Sequence, residues 1–162
     1  MLTSHLPGFE AGDLIFGLHH WEDYSLSDAN TILLSKLTPE ADIPLSYYAG
    51  GLGGSGHTAY VGLHEIGQIQ AGDTVLISAA AGATGSMATQ IAKLRGCKVV
   101  GIVGGDNKCQ LVTKTLGADA AINYKPCENL TDAIHEACPE GVDVYFANVG
   151  GTTLDAALNC MN

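Results

Sequence analysis

Residues 73–93 have the sequence DTVLISAAAGATGSMATQIAK, and this stretch decides the fold. Residues 74–78 form a short apolar run rich in β-branched side chains, which is typical of a strand buried on both faces. Residues 86–93 carry apolar side chains at helical spacing. Between them, in residues 79–85, every side chain is small. Such a turn brings backbone N–H groups and the positive end of a helix close to a phosphate, so it predicts the pyrophosphate-binding turn of a dinucleotide fold.

The glycine spacing in this turn only partly matches the dinucleotide fingerprint. The pattern G-x-G-x-x-G requires a glycine at position 80, where the chain has Ala80, followed by Gly82 and Gly85. Close packing of a strand on a helix is the alternative explanation for two glycines in an apolar context. The rest of the chain favours the nucleotide, because strand and helix patterns alternate four times. We therefore predict an α/β fold, a Rossmann-type parallel sheet with helices on both faces, which a chain of this length leaves incomplete.

The predicted elements after the turn follow one another at short intervals. Strands are expected at residues 98–103, 120–124 and 142–146, with helices from 106 to 116, 130 to 137 and 154 to 158. Residues 1–47 have a different character, with apolar runs at 14–18 and 32–34 that predict strands. Residues 1–47 are thus expected to be the end of a β-rich domain and residues 48–162 a second, nucleotide-binding domain. The glycines of residues 50–56 indicate a hinge, a cleft lining or both, and residues 57–66 a short helix.

Charge and cysteine content exclude several classes of partner. The 162 residues carry a formal net charge of −10 with only seven lysines and arginines, which argues against a nucleic-acid surface or an anionic membrane. The five cysteines and six histidines show no zinc-ligand spacing. No 18-residue apolar run or signal-peptide pattern is found, and scattered cysteines suit a reduced compartment, so a cytoplasmic protein without a membrane segment is expected.

The residues after the second strand favour one type of dinucleotide. NAD-binding folds place an acidic residue at this strand end to accept the ribose hydroxyls, whereas this chain has Gly104 and Gly105. Lys108 follows as a cation for a 2′-phosphate, and Tyr124 adds a hydroxyl at the end of the third strand. Asp106 remains an alternative acidic residue if the second strand ends later. NADP is therefore favoured over NAD.

Several blocks in order resemble one family. The run from GLGGSGHTAY through DTVLISAAAGATGS to VVGIVGG, with INYK and VYFANVGG, is similar to the zinc-independent medium-chain dehydrogenase/reductases. Within them it resembles the leukotriene B4 12-hydroxydehydrogenase/prostaglandin reductase branch, which includes NADPH-dependent alkenal double-bond reductases. The resemblance implies hydride transfer from NADPH to the β-carbon of an α,β-unsaturated aldehyde or ketone, no metal, and a GroES-like catalytic domain for residues 1–47.

The resemblance also implies roles for particular residues. The pyrophosphate would be held by Gly82, Ala83, Thr84 and Gly85, and the 2′-phosphate by Lys108 and Tyr124. The ribose side would contact Asn148, and the nicotinamide end would lie near Thr58.

This chain departs from the family pattern in places. Ala147 stands where the family usually has an aspartate before N-V-G-G, and residues 52–57 differ from the usual G-M-P-G-L-T. Family members are about twice as long, so we expect a fragment whose catalytic proton donor lies outside it; Tyr48 and Tyr60 are not favoured for that role. The alternatives are a zinc-free quinone oxidoreductase and a non-catalytic dinucleotide-binding fragment. Exposed sheet edges predict self-association, with a homodimer as the expected form.

Overall fold

The computed structural model describes all 162 residues, which form two compact units, Met1–Leu45 and Ser46–Asn162. The first unit contains two strands, β1 (Leu14–Phe16) and β2 (Ser35–Leu37), paired antiparallel with Leu14 opposite Leu37. The strand predicted at residues 32–34 is wrong. Leu33 adopts a positive φ of 59°, which a strand does not accommodate, and the pairing begins only after this bend.

The second unit is built on a four-stranded parallel sheet. Its strands lie in the order β5-β4-β3-β6, so the chain starts in the middle of the sheet and moves first to one side and then to the other. The strand bounds are β3 Thr74–Ser78, β4 Lys98–Val103, β5 Ala120–Asn123 and β6 Val144–Phe146. The helices are α1 Leu45–Ala49, α2 Gly54–Val61, α3 Ala83–Leu94, α4 Asp106–Gln110, α5 Leu130–Ala137 and α6 Thr152–Leu158. The predicted Rossmann-type fold with helices on both faces is confirmed.

The two faces of the sheet pack into separate apolar cores. On β3 all five residues are buried, with Val75 and Ile77 in one core and Leu76 in the other. This alternation is the period of a strand whose two faces are both covered. The first core also holds buried residues of α2 and α3, such as Ala59 and Ala88, and the second core holds buried residues of α5 and α6. None of the helices has the length and apolar character needed to cross a membrane.

The glycine-rich segment is more ordered than its composition predicts. Helix α2 begins at Gly54, three residues before the predicted start, and continues into a π-helical turn, Gly62–Ile66. A Cβ at Gly56 would collide with the carbonyl oxygen of Gly51, and one at Gly62 would lie 2.7 Å from the ring of Phe146. The segment predicted as a hinge, residues 50–56, therefore includes the start of a helix, because close packing against Gly51 and Phe146 requires glycine at positions 56 and 62 and offsets its low helix propensity.

Candidate functional site

A cleft of about 410 Å³ opens at the carboxyl ends of the parallel strands. Each strand contributes to its lining: Ser78 ends β3, Val103 ends β4, Tyr124 follows β5 and Val149 follows β6. Ligands of open α/β sheets bind at this edge, at the point where the strand order reverses, which here lies between β3 and β6. The cleft therefore lies at the place where the fold itself predicts a ligand.

The small-residue turn forms one wall of this cleft. Ala79 has a left-handed φ of 49°, which reverses the chain after β3, and the Gly82 amide donates to the Ala79 carbonyl at 2.8 Å. Helix α3 begins directly afterwards, with Ala83, Thr84 and Gly85 in its first turn. No side chain caps this end of the helix, so first-turn N–H groups, which have no partner within a helix, are left for a ligand.

The glycines of this turn serve different purposes. A Cβ at Gly85 would collide with the carbonyl oxygen of Ala79 and lie 2.8 Å from Ala80 Cα, so glycine is required for α3 to pack on the turn. A Cβ at Gly82 would meet only the Ala79 oxygen, at 3.1 Å, and Gly82 is exposed and lines the cleft. Ala80, at the first fingerprint position, is fully buried in the core. The turn is thus closed by packing on one side and open to the cleft on the other.

The opposite wall carries the predicted phosphate-binding side chains. Lys108 on α4 and Tyr124 after β5 both line the cleft, together with Gly104. A Cβ at Gly104 would lie 2.8 Å from the Tyr124 hydroxyl oxygen and 2.9 Å from its ring. The Tyr124 side chain thus occupies the space that a side chain at position 104 would need. An acidic residue at position 104 would therefore displace Tyr124 from this wall.

Asp106, the alternative residue for contact with the ribose hydroxyls, is bound to Asn123 instead. Strand β4 ends at Val103, and Asp106 begins α4 rather than extending the strand. Its Oδ1 accepts a hydrogen bond of 2.7 Å from the Nδ2 of Asn123, and Asp106 is not among the residues that line the cleft. Its carboxylate is therefore held by the protein rather than presented to the cleft.

Asn148 is engaged by the end of β3. Its backbone amide donates to the Ser78 hydroxyl at 2.8 Å, and its Nδ2 donates to the Ser78 carbonyl, also at 2.8 Å. The Ser78 hydroxyl also accepts from the Val149 amide at 3.2 Å, so this one serine fixes the loop after β6. Asn148 is exposed but does not line the cleft, and its ribose contact stays a prediction.

Thr58 is not brought to this cleft. It lies on an exposed position of α2, and its assignment to the nicotinamide end also stays a prediction. Tyr60, on the same helix, packs its ring against His64 with centroids 4.5 Å apart.

The charge of the cleft contrasts with that of the chain. Of the seven lysines and arginines in a chain of net charge −10, Lys108 and Lys125 line this cleft, whereas no aspartate or glutamate does. Sequence reasoning missed Lys125 and Ser78 as site residues, although Lys125 ends the INYK run and Ser78 ends a buried strand. No group of three or more histidine, cysteine or acidic side chains in the chain is arranged to hold a metal ion.

Known proteins resemble this chain over nearly all of its residues. Residues 83–162 match the zinc-binding dehydrogenase family. The chain is 44% identical over 158 residues to the NADP(+)-dependent 2-alkenal reductase of Nicotiana tabacum, covering 98% of this chain and 46% of that protein. It is 48% identical over 153 residues to prostaglandin reductase 1 of Rattus norvegicus, covering 93% and 46%. The crystal structure of CurA from Vibrio vulnificus in complex with NADPH is 43% identical with a TM-score of 0.84, covering 96% of this chain and 45% of that one. The chain thus spans about half the length of the relatives it matches.

Proposed function

Because the chain belongs to the medium-chain dehydrogenase/reductase family, in the branch of the alkenal and prostaglandin reductases, we propose that it acts in an NADPH-dependent reductase. The proposed substrates are α,β-unsaturated aldehydes or ketones, whose carbon–carbon double bond is reduced by hydride transfer to the β-carbon. The single observation that carries the cofactor assignment is the cleft at the carboxyl edge of the sheet. It combines two lysines, a tyrosine and a glycine at the strand end, and no carboxylate.

The cleft fits NADP(H) in two places. The open first turn of α3, with Gly82, Ala83, Thr84 and Gly85, suits the pyrophosphate, because backbone N–H groups and the helix dipole favour a negative charge there. Lys108 and the Tyr124 hydroxyl suit the 2′-phosphate, since charge-assisted hydrogen bonds to phosphate are among the stronger polar contacts.

Two further contacts complete the proposed cofactor site. Asn148 lies after β6 at the same sheet edge and is assigned to the ribose side, and Thr58 on α2 to the nicotinamide end. When bound, the cofactor supplies the hydride. The described residues bind and orient it, and the loop after β6, held by the Ser78 hydroxyl, supports the edge of the site. A hydroxyl group, rather than a metal, is proposed to stabilise the developing enolate oxygen.

The first unit and the setting of the protein are also proposals. We assign residues 1–47 to the C-terminal part of a GroES-like catalytic domain and residues 48–162 to the NADP-binding domain, with the antiparallel β1–β2 pair in support of the first. The five cysteines are all free thiols, which supports a cytoplasmic location. Strand β5 is at the edge of its sheet and supports self-association to a homodimer.

The experiment uses the full-length protein with NADPH, crotonaldehyde and benzoquinone. We expect NADPH absorbance to fall with crotonaldehyde and the product to be butanal. With NADPH carrying deuterium at its transferable position, the label should appear at the β-carbon. Oxidation of NADPH by benzoquinone alone would instead indicate a quinone oxidoreductase. Binding of NADPH without turnover of either compound would indicate a non-catalytic nucleotide-binding protein.

A further inference from the structure

One carboxamide joins the two segments that carry the cations of the cleft. Asn123, the last residue of β5, donates from Nδ2 to Asp106 Oδ1 at 2.7 Å. Its Oδ1 accepts from the backbone amide of Lys125 at 3.2 Å. A carboxylate only accepts and a backbone N–H only donates, so the two partners fix which end of the amide points to each. The side chain therefore forms a directed bridge between α4 and the turn after β5.

Each end of the bridge is close in sequence to a residue of the cleft. Asp106 precedes Lys108 by two positions on α4, and Lys125 follows Tyr124. Lys108, Tyr124 and Lys125 all line the cleft, whereas Asp106 does not. The bridge thus separates the charges near this wall. Lys108 and Lys125 line the cleft, whereas the Asp106 carboxylate is bound to the carboxamide of Asn123.

We propose that Asn123 is a positioning residue of the 2′-phosphate subsite, a role that rests on the proposed use of NADP(H). Its Nδ2 holds the Asp106 carboxylate away from the phosphate, and its Oδ1 holds the backbone that presents Lys125 as a second cation beside Lys108. A 2′-phosphate carries close to two negative charges, so one misplaced carboxylate opposes it as strongly as one lysine favours it.

Removal of the amide has a defined consequence. In Asn123→Ala, the exposed Asp106 side chain loses its partner, so its carboxylate is free to turn toward a phosphate bound at this wall of the cleft. The amide of Lys125 loses its acceptor in the same variant. Both effects weaken a ligand that has a 2′-phosphate and leave a ligand without one almost unchanged.

The test measures binding to the full-length protein of two adenosine probes by calorimetry. Adenosine 2′,5′-bisphosphate carries the 2′-phosphate, and adenosine 5′-monophosphate lacks it. We expect Asn123→Ala to lower the preference for the bisphosphate by about tenfold, the size of a lost charge-assisted contact, with the affinity for the monophosphate unchanged. In the Asp106→Asn background, which removes the carboxylate charge, the same substitution should cost clearly less. An equal loss in the two backgrounds would overturn the role of Asn123.

The second arm tests the lysine that Asn123 positions. Lys125→Ala should lower the preference for the bisphosphate by about tenfold. Lys114→Ala is the matched control, because Lys114 is exposed but does not line the cleft, and it should leave the preference unchanged. Equal effects of these two substitutions, or a preference that survives Asn123→Ala, would overturn this inference alone. A wild-type protein without any preference for the bisphosphate would overturn the NADP(H) assignment together with it.

Discussion

The substitution Gly104→Asp tests how the cleft selects its cofactor. A Cβ at this position lies 2.8 Å from the Tyr124 hydroxyl oxygen, so any side chain there displaces the tyrosine from the wall of the cleft. Tyr124 is 48% exposed, so its ring can rotate into solvent without disturbing the core. Aspartate additionally places a carboxylate at the end of β4, the position from which NAD-binding folds contact the ribose hydroxyls. One substitution thus removes Tyr124, the proposed phosphate ligand, from the wall and adds a repulsive charge.

The expected size of the effect follows from these two terms. Loss of the tyrosine hydroxyl contact with a charged phosphate costs about 1.5 kcal/mol. Two like charges about 5 Å apart at an effective dielectric constant of about 20 repel by about 3 kcal/mol, and salt at the surface reduces this to about half. The sum of about 3 kcal/mol corresponds to a loss of about 100-fold in NADPH affinity. NADH lacks the 2′-phosphate, so its affinity should be unchanged or should rise.

Fluorescence titration of the full-length protein with NADPH and NADH measures both affinities. Gly104→Ala is the control, because it displaces Tyr124 through the same Cβ but adds no charge. We expect it to weaken NADPH by about tenfold, which leaves the remaining loss in Gly104→Asp to electrostatics. A Gly104→Asp protein that binds NADPH and NADH with the wild-type ratio would refute the placement of the 2′-phosphate at this wall.

Three further substitutions probe the cleft and the sheet. Lys108→Ala should weaken NADPH by about 1.5–3 kcal/mol and NADH much less in the same titration, and equal losses would contradict its role. Gly82→Leu should abolish binding of both cofactors while the thermal unfolding midpoint is nearly unchanged, because the added side chain enters the cleft. For Asp119, burial acts to raise the pKa, but hydrogen bonds from Lys93 and the Val99 amide outweigh it and hold the pKa below its usual value. This stabilisation is present above the unfolded pKa of about 3.9 and is lost as pH falls through the lower folded value, so in urea unfolding the advantage of wild type over Asp119→Asn should shrink below about pH 4.

The sequence predicts those elements best whose burial is complete. Residues 74–78 and 98–103 were predicted as strands with the bounds that β3 and β4 have, because both faces of these strands are covered and the apolar run is continuous. For α5, an amphipathic pattern rather than complete burial predicts the bounds, Leu130–Ala137, and Ile134 is its one buried residue. At β6 the prediction began two residues early, at Val142. That residue forms only an isolated bridge, to Met161, so its apolar character reflects burial outside the strand proper.

The parts that the sequence did not predict depend on neighbours that are distant along the chain. Gly56 of α2 and Gly62 of the π-helical turn approach Gly51 and Phe146 so closely that glycine is required, which no local pattern reveals. Lys125 belongs to the cleft because β5 lies beside β4, an order that the alternation of elements leaves open. Asp106 is placed outside the cleft by the end of β4 at Val103 and by its contact with Asn123, 17 positions away, and neither follows from the local sequence.

The glycines of the turn after β3 show how packing and binding are divided within seven residues. At Gly85 a side chain would strike the protein itself, so this glycine is explained without any ligand. At Gly82 a Cβ would make one tight contact, 3.1 Å from the Ala79 carbonyl oxygen, and φ is −79°, a value open to every residue, so packing opposes a side chain there less than at Gly85. What a side chain at Gly82 would fill is the cleft, directly in front of the uncapped first turn of α3. Close packing therefore accounts for Gly85, and the proposed pyrophosphate at the backbone gives a further reason for glycine at position 82.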